Sequence, residues 1–149
     1  MGLVIRCSVI AGSLALFSGP QAAQSVRPTT VSIDVKPGDT PTTIERARGG
    51  FLPVAVISTV QFDALTLDRE TVRIGPTGTE ATPARSMASD VDEDGRMDLM
   101  LLVRVTDLRI TCDVKVIRLT ATTTSGEAVE GSESVAVEGC GLPRRFPPT

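Results

Sequence analysis

The sequence predicts an all-β fold: a single antiparallel β-sandwich of six to seven short strands, Ig-like or jelly-roll-like, following an N-terminal signal peptide. Three observations carry that expectation. Apolar residues alternate with polar ones over short stretches, clusters of glycine, proline and aspartate separate those stretches, and only 63–70 looks capable of a helical turn. No stretch repeats, which excludes propellers and solenoids.

Val31, Ile33 and Val35 share one face of a half-buried strand over 31–36, which Pro37-Gly38-Asp39 ends as a turn. Residues 53–58 are apolar on both faces and rich in β-branched side chains, as a central strand should be. A third alternating strand covers 71–75 and stops at Pro76-Thr77-Gly78. Residues 99–105 form an apolar run ending in alternation, 113–124 is a long β-prone stretch, and two further short strands fall at 128–129 and 134–137. Phe51 and Phe62 border apolar segments and are expected in the core.

Domain organisation follows from the two ends. Met1 to Arg6 is a charged start, and Cys7 to Phe17 is an apolar stretch of signal-peptide length, too short to span a bilayer. Ala23-Gln24-Ser25 satisfies the small-x-small rule for cleavage; an uncleaved interfacial or core helix is the alternative. The expected division is a signal peptide over 1–25, a sandwich domain over 26–141 and a disordered tail over 142–149, with its three prolines and Arg144-Arg145. Export to the periplasm or the exterior gives the cysteines meaning. Only Cys112 and Cys140 remain after cleavage, an even pair in an oxidising compartment, and a disulfide between them is worth about 3–4 kcal/mol on the chain-entropy picture. Zinc ligation by the two thiols is the weaker reading, because the chain has no histidine.

The densest chemistry lies at 90–98, an Asp-x-Asp-x-Asp-Gly-x-x-Asp loop. Ca²⁺ takes six to eight oxygen ligands, and carboxylates at odd positions around a glycine can turn toward one ion. Asp90, Asp92 and Asp94 would each give one oxygen, Arg96 a backbone carbonyl, and Asp98 would close the site, with Gly95 supplying the turn. An EF-hand helix pair is excluded, since its twelfth position, a bidentate Glu, is Leu101 here and a strand follows Asp98. A solvated acidic turn is the competing reading. Five acids against Arg96 leave the loop at −4; removing a leader that carries Arg6 takes the whole chain from −3 to −4, so the rest of the domain is neutral. Crowding five carboxylates into nine residues is repulsive without a cation among them.

Composition also excludes function classes. Without histidine there is no Ser-His-Asp or Cys-His arrangement and no ordinary zinc hydrolase site. Lys36 and Lys115, the only lysines, read as solvated surface residues rather than a Ser-Lys dyad. The acidic balance argues against nucleic acid, with Arg69, Arg73, Arg104, Arg109 and Arg118 scattered over strands where they pair with acids or cover sheet. A glycan-binding platform lacks aromatics, for there is no Trp or Tyr; a calcium-bridged sugar site escapes that objection.

The succession Ile33-Asp34-Val35-Lys36-Pro37-Gly38, Leu52 to Thr59, Val72 to Pro76, the acidic loop and Glu138-Gly139-Cys140 resembles a family of uncharacterised bacterial secreted modules over nearly the whole mature chain. The loop by itself resembles the calcium loops of FG-GAP and thrombospondin type 3 repeats. The bacterial family often has histidine near the loop and a His-Phe pair in the next strand, where this chain has Arg104-Val105, so no imidazole-dependent role carries over. The expectation is a secreted or periplasmic, monomeric, non-catalytic module binding one Ca²⁺ and contacting an unknown extracellular protein or polysaccharide. A calcium-dependent carbohydrate-binding module is the alternative, a calcium-assisted hydrolase a distant third. No later run reaches the length of a membrane helix.

Overall fold

The protein is described by a computed structural model covering residues 27–141. The expected signal peptide over 1–25 and the tail over 142–149 lie outside the described residues. Ten strands follow one another: β1 (Thr29–Val31), β2 (Ile33–Val35), β3 (Thr43–Glu45), β4 (Phe51–Val56), β5 (Arg73–Gly75), β6 (Arg85–Ser89), β7 (Asp98–Arg104), β8 (Val116–Thr122), β9 (Ala128–Ser134) and β10 (Ala136–Glu138). They make two four-stranded sheets, ordered β1-β9-β8-β5 and β2-β4-β7-β6, and a two-stranded corner of β10 with β3. The architecture is an all-β sandwich of the expected class. Two pairings in it are parallel, β1 with β9 and β3 with β10.

Period-two patterning explains the core. Leu52, Val54 and Val56 of β4 and Leu99, Leu101 and Val103 of β7 turn one face inward, and Ile117, Leu119 and Ala121 of β8 meet them from the other sheet. Burying each such side chain is worth about 1.5–3 kcal/mol. Val31, Ile33 and Val35 belong to the same core, yet their chain changes sheets at Ser32: Val31 pairs with Gly131 of β9, whereas Ile33 pairs with Val56 of β4. One extended segment therefore clamps both sheets. Gly131 makes room for it, since a Cβ there would lie 2.7 Å from Ile33 Cγ2 and 3.1 Å from the Val31 carbonyl oxygen.

Four local expectations are corrected. The strand over 31–36 is split at Ser32, and the two short strands at 128–129 and 134–137 are one strand, β9, followed by β10. Residues 63–70 do hold a short helical turn, a 3-10 turn at Ala64–Thr66 capped by the Asp63 carboxylate accepting the Leu65 N–H at 2.9 Å, but they are not alone in this, for Arg46–Arg48 forms a second 3-10 turn. Phe51 is not a core residue: it is 50 % exposed, at the start of β4 where β7 pairs with it but β2 does not reach, and Arg104 lies over its ring 5.3 Å from the centroid. Phe62 does pack against the core.

Cys112 and Cys140 are bridged, their Cα atoms 5.8 Å apart. The bond ties the segment between β7 and β8 to the chain just after β10.

Candidate metal centre

Ser89 of β6 and Asp98 of β7 are register partners, so 90–97 is the connection of a β-hairpin, as the strand-like run after Asp98 implies. Two left-handed residues curl it, Gly95 at φ +88° and Glu93 at φ +60°. The glycine takes that conformation without penalty; the glutamate does so at some cost. Side chains then hold the curl. Asp90 Oδ2 accepts the Gly95 N–H at 3.0 Å, and Asp92 Oδ1 accepts the Asp94 N–H at 3.3 Å.

Three of the four predicted carboxylates converge. Asp90, Asp92 and Asp98 can each present an oxygen such that all three lie within 4.8 Å of one another. Asp94 does not join them. Its Oδ1 accepts the Arg96 N–H at 2.8 Å and its Oδ2 meets the Arg96 guanidinium at 2.7 Å. The Arg96 N–H and then its side chain hold the Asp94 carboxyl below the usual carboxylate range. Arg96 thus enters the loop through its N–H and guanidinium, and the loop's only base is used on Asp94. No basic side chain is left in the loop for the converging trio, and two unit negative charges about 5 Å apart repel by about 1 kcal/mol even with water-like screening.

Asp98 is the root of the arrangement. It is fully buried, with Oδ1 accepting the Ser58 N–H and Oδ2 the Val91 N–H, both at 2.8 Å. Ser58 extends the network: its hydroxyl donates to the Met97 carbonyl at 2.8 Å and accepts the Ala64 N–H at 2.9 Å. The end of β4, the 3-10 turn and both ends of the acidic loop meet there. Sequence reasoning missed Ser58, whose one signal was a small polar residue closing the apolar run 53–57.

Asp90 Oδ1 is different in kind. It is buried and has no hydrogen-bond partner, and it is the only such side-chain oxygen or nitrogen among the described residues. An ionised carboxylate oxygen shut from water without a donor is costly, so a missing donor or cation is the natural complement. The donors are all hard oxygens, which suits Ca²⁺ and not zinc. A hollow of about 290 Å³ adjoins the loop, lined in part by Ser58, Thr59, Asp63 and Arg96.

Comparison with known proteins finds no family model and no curated protein that matches this sequence. Among the described residues, no helix is long and apolar enough to cross a membrane.

Proposed function

We propose that the chain is an exported, non-catalytic β-sandwich module that binds one Ca²⁺ at the β6–β7 hairpin and works as an extracellular interaction domain. The observation that carries the metal reading is the buried, unpartnered Oδ1 of Asp90 beside two further converging carboxylates. Asp90, Asp92 and Asp98 are the proposed side-chain ligands, with the Arg96 carbonyl, Asp94 and water as the expected remainder. The ion supplies charge neutralisation and a rigid hairpin tip. Export rests on the sequence of the first twenty-five residues, and the Cys112–Cys140 bridge is compatible with it.

A calcium-bridged glycan is the second reading, favoured by the hollow beside the loop with its hydroxyl and charged lining. Thermal melting tests the metal. Calcium at a hundredfold excess over Kd stabilises by about 2.7 kcal/mol, a shift of several degrees that EDTA reverses. Asp92→Ala should abolish the shift and Glu93→Ala should preserve it. A melting midpoint indifferent to millimolar calcium and to EDTA would reduce the loop to an acidic turn.

A further inference from the structure

The opposite end of the molecule carries two arginines that no carboxylate among the described residues pairs. β7 starts at Asp98 beside the acidic loop and runs seven residues to Arg104, roughly 20 Å away. Just past that end lies a hollow of about 390 Å³ whose lining includes Arg46, Arg109, Thr106, Val105 and Ile110, with no acidic side chain. The ion pairs among the described residues are Lys36–Asp39, Glu45–Arg48 and Asp94–Arg96, so neither Arg46 nor Arg109 is in one. Neither guanidinium has a side-chain hydrogen bond there. Arg109 also borders a second hollow that Glu80 and Asp107 line; Glu80 accepts hydrogen bonds from Thr77 and Thr79, and Asp107 accepts one from the Thr106 hydroxyl at the rim the two hollows share, but neither carboxylate forms an ion pair with Arg109.

The hollow is built, and its construction has a cost. Arg109 sits at φ +52°, a left-handed conformation that a long side chain rarely adopts, while Leu108 and Ile110 on either side are buried. Burial of the two neighbours holds the backbone there and leaves Arg109 outward at the rim. Opposite, Gly139 at φ +78° lets the chain after β10 pass the turn that carries Arg46; a Cβ would stand 3.0 Å from Ala47 Cβ. The Cys112–Cys140 bond begins one residue beyond Gly139 and two beyond Ile110, fixing both walls against each other.

We propose that this hollow is a binding site for a small organic anion, its carboxylate or phosphate held by Arg46 and Arg109 and its body resting against the exposed edges of Val105 and Ile110. Guanidinium pairs suit planar or polyoxo anions, forming charge-assisted, bidentate hydrogen bonds, and a partly apolar floor suits a small organic body better than a bare ion. The site does not depend on the metal reading.

Amide chemical shifts of the full chain, disulfide intact, test it on titration with glucuronate, with glucose 6-phosphate and with glucose as the neutral control. The expected result is saturable shifts at Ala47, Thr106, Ile110 and Gly139 with one or both anions and none with glucose, the two anions separating a carboxylate from a phosphate ligand. Arg46→Ala and Arg109→Gly should each weaken binding about tenfold or more, the loss of one charge-assisted contact. Glycine fits the φ at 109, so that variant keeps its fold and isolates the guanidinium. Absence of saturable shifts with both anions at tens-of-millimolar concentration, equal shifts with glucose, or undiminished affinity in Arg109→Gly would each overturn the assignment.

Discussion

Asp98 makes two separable contributions, one to folding and one to the proposed ion. Replacing it with Ala strips the Ser58 and Val91 N–H groups of their acceptors inside the protein, at about 1–3 kcal/mol for each unpaired group. Urea unfolding in EDTA, where no metal contributes, should therefore show Asp98→Ala less stable by about 2–6 kcal/mol, while Asp92→Ala is nearly neutral. A second residue gives a pH signature. Burial, and then the nearby Glu133 carboxylate, raises the Asp34 pKa above 3.8. The folded state then binds that proton more tightly than the unfolded chain, so ionised Asp34 costs stability above the folded pKa, and the cost vanishes below the unfolded one. Asp34→Asn should raise the melting temperature at pH 7, and the advantage should disappear near pH 3. An equal gain at both pH values would show that charge is not the cause. The converging carboxylates of the candidate site were legible as a spacing, because residues of one loop are neighbours in sequence. Ser58 was not, because its tie to Asp98 spans 40 residues and leaves no periodic trace.

At the scale of elements, legibility tracked burial. β4, β7 and β8 carry β-branched or leucine-rich inward faces and were readable, whereas β6, Arg85-Ser86-Met87-Ala88-Ser89, has no β-branched residue and no fully buried side chain. It is a strand because β7 pairs with it along one edge, a tertiary cause invisible to local pattern. β3 does have β-branched Thr43 and a buried Ile44, but at three residues it is too short to show a period and is held by parallel pairing with β10 from the far end of the chain. The break at Ser32 was hidden for the opposite reason: Val31, Ile33 and Val35 keep one inward period while the hydrogen-bonding partner changes beneath them. Close approach of β1, β2 and β9 depends on Gly131, flanked by side chain and backbone it would otherwise strike. Gly131→Ala should cost about 1–3 kcal/mol, as overpacking usually does, and chemical denaturation would measure it. Ala at Gly126, where nothing lies within 4 Å of the added carbon, is strained only by its φ of +87° and should cost less. Equal losses would show that β9 has slack against the β1–β2 segment.

For the whole molecule, β7 separates two ends stabilised by different means. At one end lies the acidic hairpin with the proposed ion site; at the other, the bridge between Cys112 and Cys140 closes a loop with a sequence separation of 28. On the chain-entropy picture that closure is worth about 3–4 kcal/mol. The two devices share no side chain, and effects of sites so far apart normally add within about 0.5 kcal/mol. A Cys112→Ser, Cys140→Ser double variant should therefore lose about 3–4 kcal/mol in denaturant while its calcium-induced gain in stability stays equal to that of the parent. The reverse experiment should agree: Asp92→Ala removes the calcium gain and leaves the cost of reducing the disulfide unchanged. If the serine variant instead loses its calcium response while still folded, the hairpin is positioned through the opposite end of the sandwich, and the rigid-strand picture of β7 as a passive spacer is wrong.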